Sequence, residues 1–81
     1  MPEGRIKELV EYMAKALVEH PEQVRVVETA GARSTIYELH VASSDMGRVI
    51  GKDGRVANAM RSLVRVAAAQ AGRRAILEIV E

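Results

Sequence analysis

The chain has 81 residues, of which 48% are apolar and 28% are charged, and it contains no cysteine. This length predicts one domain over residues 1–81 with a small two-layer core, and it leaves no room for a deep catalytic cleft. The lack of cysteine excludes disulfides and thiolate metal sites. No apolar run is long enough to cross a bilayer, so we expect a cytoplasmic protein.

The net charge of +1 is unevenly distributed along the chain. Residues 1–40 carry five basic and seven acidic side chains, whereas residues 41–81 carry seven basic and four acidic ones. All seven of those basic residues lie in segment 46–74, where Asp53 is the sole acid, and six of them are arginine. Arginine favours bidentate contacts with phosphate, but a solvated helix face would also explain such a stretch.

The first half of the chain predicts a helix followed by a β-hairpin. Pro2 and Glu3 suit a first helical turn, and Pro21 predicts that the helix ends by His20. The apolar stripe of this helix has helical spacing and comprises Ile6, Leu9, Val10, Met13 and Leu17. Residues 24–29 and 35–41 predict two strands joined by a turn at residues 30–32; the second alternates, with Tyr37, Leu39 and Val41 on one face.

The second half predicts two helices and a last strand. Ser43, Ser44 and Asp45 form a helix-start signal for a short helix over residues 45–50. A longer helix covers residues 55–71 and stops at Gly72, and a strand follows over residues 74–80. The predicted inward stripe of the long helix is Val56, Met60, Leu63, Val64, Ala67 and Ala71. The order α-β-β-α-α-β indicates an α+β fold.

The segment Gly51-Lys52-Asp53-Gly54 between the two helices carries the most informative pattern. Glycine permits a tight turn and close approach of another backbone, and the adjoining helix start attracts phosphate through its free N–H groups. We expect Asp53 to cap the long helix. A phosphate-binding P-loop would need Ser or Thr after Gly51-Lys52, and no dinucleotide fingerprint is present. By itself, a G-x-x-G turn is usually structural.

In this context, however, the chain resembles a type II KH domain, with a three-stranded sheet packed against three helices. It is similar to the small stand-alone bacterial KH proteins of the KhpA type, in segments 47–61 and 77–81 above all. The resemblance implies an RNA chaperone whose G-x-x-G loop clamps four nucleotides. It also implies pairing with itself or with a larger KH protein of the Jag/KhpB type, and a link to peptidoglycan homeostasis and cell length. Ala57 departs from the bulkier aliphatic residue of many KH domains, which predicts a shallow groove.

The resulting hypothesis is single-stranded RNA binding with no bond made or broken. The predicted RNA-binding residues are Arg48, Val49, Ile50, Gly51, Lys52, Asp53, Gly54 and Arg55. Bases would lie on an aliphatic floor formed by Val49, Ile50 and the second strand near Leu39 and Val41. No nucleophile–base pair or metal-ligand cluster is visible, so we expect no enzyme, no cofactor, no metal site and no small-molecule substrate.

A second apolar stripe on the long helix predicts a partner face. Its members are small or β-branched: Ala59, Ser62, Val66 and Ala69. We expect this face to hold a second copy or a larger KH protein, although alanines also occur simply as good helix formers. The rival functional hypothesis is therefore a KH fold used only for dimerisation, with a vestigial nucleic-acid loop.

Overall fold

The computed structural model describes residues 4–81, so the predicted first turn at Pro2 and Glu3 lies outside the described part. The described elements are helix α1 (Gly4–Leu17), strands β1 (Arg25–Ala30) and β2 (Thr35–His40), helices α2 (Met46–Ile50) and α3 (Arg55–Gln70), and strand β3 (Ala75–Val80). The predicted order is confirmed, and the predicted element boundaries differ from the structure by one residue at several ends.

The three strands form one mixed sheet with β2 at its centre. β1 pairs with β2 in antiparallel register, and β2 pairs with β3 in parallel. β2 and β3 run in the same direction because the helices that connect them carry the chain back to the end of the sheet at which β2 starts. The predicted alternation of β2 is confirmed, because Tyr37 and Leu39 are fully buried between their partly exposed neighbours.

All three helices pack on one face of this sheet around a single core. The core comprises Ile6, Val10, Ala14, Val26, Tyr37, Leu39, Val49, Met60, Val64, Ala68 and Leu77. The opposite sheet face is open to solvent, where Ile76 is 48% exposed.

The buried stripe of α3 differs from the predicted one at its centre. The buried residues are Ala57, Met60, Val64 and Ala68, whereas Leu63 is 53% exposed. The prediction was wrong at Leu63 because it followed the largest side chains. The structure instead places small alanines against the sheet, where they allow α3 to approach closely. Leu63 points towards α1, beside a surface groove.

Asp45 holds the end of α1 against the start of α2. Its carboxylate accepts hydrogen bonds from the backbone N–H groups of Glu19 and His20, each at 3.0 Å. The predicted helix start is confirmed, since α2 begins at Met46 with Asp45 at its N-cap position, but no side chain caps this helix. Asp45 is only 1% exposed and satisfies amides about 25 residues earlier in the chain instead.

The charge state of Asp45 follows from these contacts. Burial by itself would raise the pKa of this carboxyl group. The two amide donors, together with the charges of His20 and Arg48, outweigh burial and hold the pKa below its ordinary value of 3.8. Asp45 is therefore ionised at neutral pH and contributes stability in that form.

Asp45→Asn is expected to lower the melting temperature at pH 7 by at least about 5 °C, because Asn keeps one acceptor oxygen and turns its NH2 group, a donor, towards the second backbone N–H. The stabilisation by Asp45 is complete above its unfolded pKa and is lost as pH falls through the lowered folded pKa. Thermal melts from neutral pH to well below pH 3.8 should therefore show the two proteins converging in acid. Asp53→Asn, which removes the same charge from an exposed loop, is the control; equal shifts in both variants would contradict this role.

Candidate nucleic-acid interface

The loop between α2 and α3 has a backbone that only these residue types adopt readily. Gly51, Asp53 and Gly54 all have positive φ angles, of 77°, 57° and 76°. A Cβ atom on Gly51 would lie 2.9 Å from the backbone nitrogen of Val56 and would overlap the Val56 side chain. The Gly54 N–H closes the turn by donating to the Gly51 carbonyl oxygen at 3.2 Å. The two glycines therefore produce a compact turn whose tip is exposed at Lys52 and Asp53.

The start of α3 carries no side-chain cap. Gly54 occupies the N-cap position, and Asp53 does not accept a hydrogen bond from the helix, so the predicted cap at Asp53 is wrong. Aspartate is tolerated in the left-handed conformation that Asp53 adopts. Because no side chain covers them, the first N–H groups of α3 remain available to an anion at the positive end of a 16-residue helix.

The positive charges around this loop are not equivalent. Within residues 4–81, Lys52 and Arg55 form no ion pair, and both are exposed. Arg48 instead donates to Glu19 at 2.9 Å and lies 3.7 Å from Asp45. The structure thus brings Lys52 and Arg55 together with the loop as unpaired cations, while Arg48 mainly holds α2 to the segment after α1.

The predicted aliphatic floor is smaller than the sequence suggested. Val49 and Leu39 are completely buried in the core, so neither side chain can meet a base, and β2 is the central strand without a free edge. Ile50 is 38% exposed beside the loop. Val41 is partly exposed and lines a depression of about 310 Å³ near the start of α2. Ala57 is buried and serves packing beneath the surface.

A polar seam between α3 and β3 was not predicted from the sequence. Arg61 donates from Nε to the carbonyl oxygen of Leu77 at 3.3 Å and from Nη1 to Asn58 Oδ1 at 3.2 Å. Arg61 therefore covers part of the free edge of β3 and joins it to the helix that starts at the loop. The only signal in the sequence was the helical spacing of Asn58, Arg61 and Arg65, which puts all three on one side of α3.

The predicted partner face lies on the exposed side of α3. Ala59, Ser62, Val66 and Ala69 are all exposed, and Val66 is 57% exposed. Beside them, α1 and α3 form an apolar groove of about 430 Å³ whose lining residues include Tyr12, Met13, Ala59 and Leu63. Tyr12 is 75% exposed there. An exposed apolar surface of this kind, continuous over two helices, is typical of protein–protein contact.

Neither a metal-binding cluster nor a membrane-spanning helix is found among the described residues. Among residues 4–81, no group of three or more His, Cys, Asp or Glu side chains could bind a metal ion. His20 and His40 each lie beside a single glutamate, Glu22 at 3.7 Å and Glu38 at 3.6 Å. Over the same part of the chain, no helix combines the length and apolar character that crossing a membrane requires.

A short helix, a G-x-x-G turn and a long helix on a mixed three-stranded sheet, preceded by a helix and a β-hairpin, define a KH domain of type II. Comparison with known sequences identifies the family. The KhpA/KhpB KH-domain family matches residues 7–79, which is nearly the whole chain, and the protein belongs to this family.

Several relatives are similar over nearly their full lengths. A protein of Clostridium perfringens, named RNA-binding protein KhpA, is 49% identical over 75 residues, which cover 93% of this chain and 100% of the relative. A protein of the same name from Caldanaerobacter subterraneus is 53% identical over 90% of this chain and 97% of its own. One from Aquifex aeolicus is 41% identical over 94% and 96% of the two chains. These relatives are named as RNA-binding proteins and not as enzymes.

A solved structure shares the fold. A crystal structure of an Era variant from Aquifex aeolicus, bound to GDP and aluminium fluoride, superposes with a TM-score of 0.70 at 21% identity. The match covers 98% of this chain but 31% of that one. At this identity the similarity establishes the fold alone.

Proposed function

We propose that the protein binds single-stranded RNA through the loop between α2 and α3. The observation that carries this proposal is the uncapped start of α3 directly behind a two-glycine turn, with Lys52 and Arg55 as cations that no carboxylate within residues 4–81 neutralises. A KH loop of this form clamps the backbone of about four nucleotides. The names of the relatives support RNA as the ligand.

In this proposal, the N–H groups at the loop and at the start of α3 hold two adjacent phosphates, with Lys52 and Arg55 adding charge. Ile50 offers the exposed apolar surface for a base. The contacts in this proposal go to the phosphate backbone of the RNA, and such contacts position a strand without reading its sequence. Annealing activity, as in an RNA chaperone, is compatible with such contacts.

The salt dependence of RNA affinity tests this function. A single-strand binder loses affinity steeply with salt through counterion release, with a logarithmic slope of about −0.7 for each neutralised phosphate. Fluorescence anisotropy with a labelled oligouridylate should give a slope steeper than about −1.4 for two phosphates. A protein that serves only in dimerisation has no RNA affinity to lose, so absence of binding at low salt would favour the rival hypothesis.

We also propose that the exposed side of α3 pairs with a second copy of this chain or with a larger KH protein of the Jag/KhpB type. The apolar groove between α1 and α3 supports this pairing, as does the exposure of Leu63 and Val66 beside it. Two linked modules on one strand raise the effective concentration of the second binding event, which compensates for the small footprint of each. The implied role in peptidoglycan homeostasis and cell length would then depend on the RNAs that such a pair engages.

Val66→Asp is expected to convert a homodimer into a monomer, because it places a charge in an apolar contact. Val66 is 57% exposed in the single chain, so the fold should be stable to within about 0.5 kcal/mol. Sedimentation equilibrium measures the change. Ile76→Asp makes the same kind of substitution on the open sheet face and should leave the dimer intact. A wild-type protein that is monomeric at high micromolar concentration would overturn self-association.

A further inference from the structure

A group of arginines lies at the end of the molecule remote from the G-x-x-G turn. Arg33 comes from the β-hairpin turn, Arg65 from α3, and Arg73 and Arg74 from the connection between α3 and β3. All four line one depression of about 390 Å³, together with Ser34, Ala69, Ala75 and Ile76. Three separate segments of the chain therefore direct like charges to the same place. This group, Arg33, Arg65, Arg73 and Arg74, is called the arginine cluster below.

Three of the four arginines have no acidic partner in the described part of the chain. Arg33, Arg65 and Arg74 form no ion pair among residues 4–81, and all three are exposed. Arg73 donates to the Thr35 hydroxyl at 3.2 Å and is fixed in position. Mutual repulsion among the three unpaired cations opposes folding, and a polyanion that enters the depression would relieve it. The planar guanidinium group of arginine can donate two parallel hydrogen bonds to phosphate oxygens, so it matches phosphate in geometry as well as in charge.

The arginine cluster and the G-x-x-G turn are connected by the seam between α3 and β3. α3 starts at the turn and ends at the cluster, and β3 returns alongside it. A second depression, of about 190 Å³, lies along this seam and is lined by Arg61, Arg65 and residues 75–77. From Arg55 to Arg65 the helix rises by about 15 Å. That distance corresponds to about four stacked nucleotides at 3.4 Å each.

We propose that the arginine cluster is a second phosphate-binding site, occupied by the same RNA strand after it leaves the G-x-x-G turn. This inference rests on the proposed function and extends it. The turn accounts for about four nucleotides, and the path along the seam adds about four more. The single module therefore has a footprint of about eight nucleotides, with arginine–phosphate contacts at the far end.

The test compares oligouridylates of about four and about ten nucleotides on the full chain, by fluorescence anisotropy. The double variant Arg33→Gln, Arg74→Gln removes two exposed charges and leaves Arg73 and its hydrogen bond in place. The wild type should bind the longer oligomer about tenfold more tightly, and the variant should lose that advantage while its affinity for the short oligomer is unchanged. With the longer oligomer, the logarithmic salt slope of the variant should be shallower by about 1.4. Arg5→Gln, Arg25→Gln removes the same charge elsewhere and should behave as wild type.

Each alternative outcome contradicts the inference in a recognisable way. Wild-type binding of both oligomers with equal affinity would overturn the second site and leave the proposed function standing. Binding of neither oligomer would overturn both. An equal loss of RNA affinity in the variant and in its control would show a general effect of net charge and would overturn the second site. Binding of inorganic tripolyphosphate that the variant abolishes, without any dependence on RNA length, would assign the cluster to a free polyphosphate rather than to the strand.

Discussion

Lys52→Asp is expected to abolish detectable binding of single-stranded RNA while the protein remains folded. A unit charge about 4 Å from a phosphate in water contributes about 1 kcal/mol, and reversal of its sign replaces attraction by repulsion. The expected loss is therefore at least about 2 kcal/mol, or roughly thirtyfold in affinity, for each phosphate that Lys52 approaches. Lys52 is exposed at the tip of the turn, so stability should change by no more than about 0.5 kcal/mol.

Gel-shift titration and circular dichroism of the same samples measure these two effects. Lys52→Gln removes the charge without reversing it and should lose about half as much binding free energy. Lys15→Asp makes the same reversal on the exposed side of α1 and should keep most of the affinity. Unchanged RNA binding by a normally folded Lys52→Asp protein would overturn the clamp at the turn.

Gly51→Ala is expected to destabilise the protein by about 3 kcal/mol, the largest change in stability for any single methyl group in this loop. The φ and ψ angles of Gly51, 77° and 174°, lie in a region that is open essentially only to glycine. The added Cβ would also meet the backbone nitrogen of Val56 at 2.9 Å, and backbone cannot yield as a flexible side chain can. For a chain of this size the melting temperature should fall by roughly 12–24 °C.

The neighbouring glycines provide matched controls for Gly51→Ala. Gly54 has an ordinary left-handed conformation, and a Cβ there would meet only the Asn58 side-chain amide at 3.7 Å, so Gly54→Ala should cost about 1 kcal/mol. Gly47 lies within α2 with no atom near its added Cβ, and Gly47→Ala should stabilise the protein by up to about 1 kcal/mol. Equal melting temperatures for all three variants would show that the turn relaxes and that its geometry is not rigid.

The sequence by itself determined the features that depend on neighbours along the chain. The helical spacing in α1, the alternation of β2 and the two glycines around Lys52 are local patterns, and the structure has each where the pattern placed it. The end of α3 also depends on neighbouring residues alone, because Gly72 adopts a positive φ and the backbone N–H of Arg73 donates to the carbonyl oxygen of Ala68. The order α-β-β-α-α-β follows from the same local patterns, and the type II KH fold was predicted from the resemblance of that order and of the G-x-x-G segment to KH domains.

Only the tertiary structure decided which side chains of the interface are available. Asp45 and Arg48 meet Glu19 and its neighbour across 25 to 29 residues of sequence, so Asp45 became a buried anchor and Arg48 a paired cation. Val49 entered the core, and Leu63 was left at the surface, because alanines rather than the largest side chains let α3 lie close to the sheet. The arginine cluster likewise joins three segments that are distant in sequence. Burial and charge pairing depend on which surfaces the fold brings together, and a periodicity within one segment contains no information about the surface that it will meet.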